Sequence, residues 1–169
     1  MKRKVACVFL SVLLMLGLSA CGAQVSASST VESGESELPP AAEGRQVRMI
    51  SGEVEVLITL NDSQAAADFA SMLPLELTLI ERNGFAKGMT LPRKLSTEEP
   101  TTREYAVGDF GYWADGPDLA IFYDDIYEQT IVPIIPMGKA DSNAENMRNT
   151  SGTVRLELMP EDEEENQNE

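Results

Sequence analysis

Four aspartates, Asp115, Asp118, Asp124 and Asp125, sit in one short stretch of the chain. Carboxylates so spaced could hold a cation or work as a paired general acid and base. A calcium loop of the Asp-x-Asp-x-Asp-Gly kind is absent, so these acids read as solvated turn residues, with Asp115-Gly116 itself a turn signal. The same stretch holds Tyr112, Trp113, Phe122 and Tyr123, four of the ten aromatic residues. Such side chains can wall a pocket for an extended peptide or a small apolar ligand, or can fill a core. Strand alternation sends neighbours to opposite faces, so at most half of them can share one wall. Tyr112, Trp113 and Phe122 are the candidate ligand-binding residues, with Trp113, beside the turn, the one expected nearest the surface. No catalytic residue, metal ligand or cofactor is assigned. The chain has no histidine, which removes Ser-His-Asp and Cys-His catalysis and imidazole zinc sites. Neither a phosphate-cradling glycine loop nor a Ser-x-x-Lys motif is present.

The other reactive side chain is Cys21. It follows a basic segment, Lys2-Arg3-Lys4, and an apolar run from Val5 to Leu16 that is short for a membrane span and right for a signal-peptide core. Leu18-Ser19-Ala20-Cys21 resembles the lipobox of bacterial lipoproteins. That resemblance implies thioether attachment of diacylglycerol to Cys21, cleavage before it, and a protein held by lipid on the extracytoplasmic face of the cell membrane. Several acyl chains anchor stably where one would be marginal.

Cleavage after residue 20 would remove three bases and no acids, taking the charge from −15 to −15 − 3 = −18. Such acidity excludes nucleic acid as a partner and makes an anionic membrane surface repulsive, so the lipid must do the anchoring. Residues 21–44 are the lipidated cysteine and a tether of Ala, Ser, Gly, Pro and Glu, too poor in apolar residues to order itself. Residues 161–169 carry six acids and read as a solvated tail. Residues 45–160 are the single domain, large enough for one core.

The elements that must position the aromatic residues are short. Val47–Ile50 and Val54–Leu60 flank Ser51-Gly52-Glu53 as a hairpin. Asn61 or Asp62 is the expected cap of a helix, with Gln64 as capping-box partner of Asn61; Ala66, Phe69, Ala70 and Leu73 form its apolar face, and Pro74 stops it. Leu75, Leu77 and Leu79 alternate in a strand. Asn83-Gly84 marks a turn, and Met89–Leu91 a short strand. Ser96–Arg103 reads as a loop in which the Ser96-x-x-Glu99 capping box is discounted. Tyr105–Trp113, Leu119–Tyr123 and Ile131–Ile135 are expected strands. Ser142-x-x-Glu145 is expected to cap a short helix, and Thr153–Leu158 closes the domain. Many short strands with two short helices suggest a closed antiparallel barrel.

The order of hairpin, Asn61-Asp62 and helix to Leu73-Pro74-Leu75, then Gly108-Asp109-Phe110-Gly111-Tyr112-Trp113 and Leu119–Tyr123, resembles the bacterial cyclophilin-like domains over residues 46–158. The resemblance implies a mainly β fold, a closed eight-stranded barrel with two short helices. Catalytic cyclophilins use an arginine near a phenylalanine and a histidine in one strand, and no Phe-His-Arg segment occurs here. The expected function is therefore a non-catalytic, membrane-tethered module that binds a peptide or small molecule. The alternatives are a weak prolyl isomerase acting as a foldase and a solute-binding lipoprotein, for which one small domain lacks a two-lobed clamp. Oligomeric state is left open.

Overall fold

The structure is a computed structural model, and it describes residues 39–113 and 115–160. The signal segment 1–20, Cys21, most of the tether and the acidic tail 161–169 lie outside the described residues.

Eight strands close into an antiparallel barrel: β1 (Gln46–Ser51), β2 (Val54–Leu60), β3 (Leu75–Arg82), β4 (Ala86–Thr90), β5 (Asp109–Trp113), β6 (Asp118–Phe122), β7 (Ile135–Ala140) and β8 (Gly152–Leu158), in the order β1-β2-β7-β5-β6-β4-β3-β8. Helix α1 (Gln64–Ala70) and a 3₁₀ helix (Ala144–Asn149) complete it. The mainly β, eight-stranded barrel with two short helices is the fold expected from the sequence.

Hydrophobic alternation sets the strand faces. In β1 and β2, Val47, Met49, Val56, Ile58 and Leu60 are buried while their neighbours are more exposed. Closure turns these inward faces onto one another and onto α1, whose Phe69 meets Phe110 of β5 with ring centroids 5.5 Å apart. Strands β4, β5 and β6 differ, being buried on both faces. Their outer face carries a second apolar cluster, Phe85, Ala86, Ala120, Phe122 and Ile134, with Tyr105 and Trp113 packed against it. Ala42, within the stretch read as tether, is buried against the main core.

Several local expectations are corrected. The strand expected at Ile131–Ile135 lies further on, at Ile135–Ala140; only Ile134 forms an isolated bridge, to Thr102. Pro136 stands inside β7 because the β5–β7 register shifts between Phe110 and Gly111, Phe110 facing Gly138 and Gly111 facing Pro136. The irregularity gives a proline a place that a regular ladder would refuse. The strand expected from Tyr105 begins only at Asp109. Ser63, not Asn61 or Asp62, caps α1, its hydroxyl accepting from the Ala66 amide at 3.1 Å. Asn61 instead accepts from the Ser63 amide at 3.1 Å, an Asx turn that leads the chain into the helix. The 3₁₀ helix has Asn143, at φ 63°, as its N-cap and no side-chain cap bond, so the Ser142–Glu145 box does not form.

Glu99 does cap a helix, although not its own. Its carboxylate accepts from the amides of Gln64 and, at 3.3 Å, Ala65. These are free N–H groups of the first turn of α1, so the long loop is tied to the helix by an anion at its positive end. Glu99→Ala is expected to lower stability by about 1 kcal/mol, measured as a shift of the urea midpoint with an unchanged slope.

Candidate functional site

The outer face of β4–β5–β6 holds the site. A cavity of about 450 Å³ opens beside it, between the turn after β3, the β5–β6 hairpin and the segment 127–132. Asn83-Gly84 makes that turn, both residues at positive φ (51° and 77°), and delivers Phe85 to the cavity wall. Phe85 lies 5.3 Å from the Tyr127 ring, nearly edge-on, and 5.6 Å from Phe122. Trp113 meets Phe122 edge-on at 6.0 Å and forms another part of the wall. Tyr127 is fixed by its amide, which donates to the Tyr105 hydroxyl at 3.0 Å.

Arg82, the last residue of β3, lines the same cavity. Its guanidinium donates to Asp118 at 2.9 Å and stands 5.8 Å from the Trp113 ring centroid. The side chain crosses Gly88, where a Cβ would lie 2.6 Å from Nε, so the missing side chain makes its seat. Arg82 Nε and Trp113 Nε1 are buried donors with no acceptor among the described residues.

The candidate trio is divided by strand alternation. Trp113 stands at the cavity. Phe122 is fully buried beneath Phe85 and Trp113 and supports the wall from behind. Tyr112 lies on the opposite face, in the barrel core, its hydroxyl accepting from the Leu95 amide at 3.3 Å. Of the four aspartates, Asp118 pairs with Arg82 and Asp124 with Arg148, whereas Asp115 and Asp125 are exposed and enter none of the described ion pairs. Among the described residues, no cluster of three or more metal-ligating side chains occurs. Sequence reading missed Arg82, Phe85 and Tyr127. The Asn-Gly turn signal beside Arg82 and Phe85 was the only local clue, since loop closure alone brings Tyr127 to them.

A separate polar cluster lies where β3, β4 and the end of β6 meet. Lys87 is almost fully buried, and its Nζ reaches Glu81 at 2.7 Å and stands 5.5 Å from the Tyr123 ring centroid. The Tyr123 hydroxyl donates to Glu81 at 2.7 Å. Burial, then this hydrogen bond to a carboxylate, pushes the Tyr123 phenol up to about 12. Burial would raise the Glu81 carboxyl, but hydrogen bonds from Lys87, Tyr123 and the Gly84 amide together hold it below the ordinary carboxylate range. A raised tyrosine binds its proton more tightly when folded, so its contribution to stability is whole below about pH 10 and is lost as pH rises through about 12. Ultraviolet titration should therefore show a phenol ionising near pH 12, and Tyr123→Phe should remove that step.

Comparison with known proteins gives the following. The model of the cyclophilin-like family matches residues 49–159. Among solved structures, the chain is similar to a hypothetical protein from Archaeoglobus fulgidus, with a TM-score of 0.58 and 18% identity over 69% of this chain and 95% of that one. It is also similar to McbB, solved in complex with tryptophan, with a TM-score of 0.52 and 12% identity over 69% of this chain and 45% of that one. The match to McbB thus spans less than half of that chain. At these identities the two structures speak for the fold alone. No curated protein sequence matches.

Proposed function

The chain belongs to the cyclophilin-like family, and from that premise we propose that it is a membrane-tethered extracytoplasmic lipoprotein whose barrel is a non-catalytic binding module for a peptide or small molecule. The observation that carries the binding reading is the aromatic-walled cavity on the outer face, with Phe85 and Trp113 on its wall and Arg82 at its side. Concave, largely apolar surfaces with a few fixed polar groups are where ligands bind. Trp113 is the single tryptophan, so its emission reports on the cavity directly. Titration with cyclohexanol, an apolar probe that neither absorbs nor emits in the tryptophan band, and with short peptides is expected to change that emission saturably. A flat response to every probe overturns the binding reading.

The tethering reading rests on the lipobox at Leu18–Cys21 and the basic and apolar segments before it. Cys21→Ala is expected to leave an unlipidated precursor or to release the protein from the membrane fraction. A variant that is still processed and still membrane-bound overturns this reading.

A second reading, weak prolyl isomerase activity, is favoured by one arrangement: the Arg82 guanidinium shares the cavity with Phe85. A hydrogen-bond donor aimed at a prolyl amide beside an apolar pocket is all the chemistry such a reaction needs. Arg82 is, however, already engaged by Asp118. In a coupled prolyl-peptide assay the binding-module reading predicts the uncatalysed rate. A faster rate that Arg82→Ala abolishes favours the isomerase.

A further inference from the structure

The segment that follows β6 leaves large apolar groups in solvent beside the cavity. Ile126 is 55% exposed, Tyr127 49% and Ile131 83%. Apolar side chains clustered on one loop and continuous with an apolar cavity mark an interaction surface. The charge around this patch is mainly negative. Asp115 lines the cavity, and Asp125 and Glu128 lie on the same loop as the exposed apolar residues; all three are exposed, and none enters a described ion pair. Two of the cations nearby are already matched, Arg82 by Asp118 and Arg148 by Asp124, while the exposed Arg103, whose carbonyl accepts from Thr130, enters no described ion pair. An apolar patch with unmatched carboxylates selects a partner of opposite sign.

Other occupants fit less well. A second copy of this chain would bring one acidic surface against another, the whole carrying −15. An anionic lipid surface would be repelled in the same way. An anionic peptide would face the three carboxylates with Arg103 alone to receive it. Resting on the binding reading above, we infer that the site takes a cationic peptide segment. One large apolar side chain enters the space between Phe85, Trp113 and Tyr127, and flanking lysines or arginines meet Asp115, Asp125 and Glu128. The partner is thus a basic segment of another protein that carries an apolar anchor.

The test uses the full chain and three synthetic peptides that share an anchor and differ in charge: acetyl-Lys-Leu-Lys-amide, acetyl-Ser-Leu-Ser-amide and acetyl-Glu-Leu-Glu-amide. Binding is followed by Trp113 emission in low salt and again in 0.5 M salt, where the Debye length falls to about 4 Å from about 30 Å at 0.01 M. The lysine peptide is expected to bind about tenfold more tightly than the glutamate peptide in low salt, with the gap narrowing in high salt. The Asp115→Asn, Asp125→Asn, Glu128→Gln triple variant should lose that preference while keeping its affinity for the serine peptide. Equal binding of the three peptides, or a preference for the glutamate peptide, overturns the inference and leaves the binding reading standing. The same holds if cyclohexanol perturbs Trp113 and no peptide does. If neither cyclohexanol nor any peptide changes the emission, the inference falls together with the reading on which it rests.

Discussion

Gly138→Ala is expected to destabilise the barrel by about 3 kcal/mol, among the larger effects one added methyl can have. A Cβ at this position would lie 2.4 Å from the Thr59 carbonyl oxygen and 3.1 Å from the Cα of Leu60. Both are backbone atoms of β2, so no side-chain rotation relieves the clash, and the strands themselves must part. They meet here at a short seam, with β2 and β7 paired only through Ile58–Ala140, Thr59–Lys139 and Leu60–Gly138. Gly138 also faces Phe110 of β5, next to the register shift that admits Pro136. Widening the seam therefore strains the barrel on both sides of β7. Thermal unfolding should show a midpoint lower by roughly 10–15 °C. Gly116→Ala is the control, because its nearest neighbour would be an Asp118 side-chain oxygen at an ordinary 3.6 Å, and its midpoint should stay within a degree or two of the parent. Equal midpoints for the two variants would refute the account of β7 closure.

Phe110→Ala should cost more, about 3–5 kcal/mol. Phe110 is 1% exposed and packs on Phe69, the fully buried aromatic residue of α1. Removing its ring leaves a void between helix and barrel that the closed sheet cannot collapse to fill. A domain of this size has only about 5–15 kcal/mol of stability in total, so the variant should unfold near ambient temperature or in low urea. Before it unfolds, its Trp113 emission should match the parent, since Phe110 lies on the inner face and Trp113 on the outer. Phe122→Ala tests the other layer. It also removes a buried ring, but one that touches Trp113 and Phe85, so native emission should shift as well. An unchanged spectrum in Phe122→Ala, or a shifted one in folded Phe110→Ala, would contradict the division into two apolar layers.

That division bears on how much of the site was legible in the sequence. Adjacent aromatic residues in a strand must point apart, and Tyr112 and Trp113 do. The turns were legible for a similarly local reason. Asn83-Gly84 takes positive φ at both residues, a conformation few other pairs accept, and Gly52 turns the first hairpin at φ 61°. Glu99 shows where local reading stops. Three residues after Ser96 it looked like a failed capping box, yet its carboxylate serves Gln64 and Ala65 of α1, remote in sequence. Pro136 blurred the seventh strand in the same way, because an irregularity in the pairing with β5 decides where a proline can stand.

The sequence by itself determined the class of fold, the inward face of each alternating strand, the two tight turns and the absence of imidazole chemistry. Each of these is a property of a residue and its near neighbours along the chain. Tertiary structure alone decided which strands lie side by side, that β4, β5 and β6 are covered on both faces, and that Arg82, Phe85, Trp113 and Tyr127 border one cavity. The physical reason is that periodicity records on which side of its own strand a residue lies. What it meets there depends on closure of the barrel and on the loop after β6 folding back over the outer face, where Phe85, Phe122 and Ile134 could be buried in no other way.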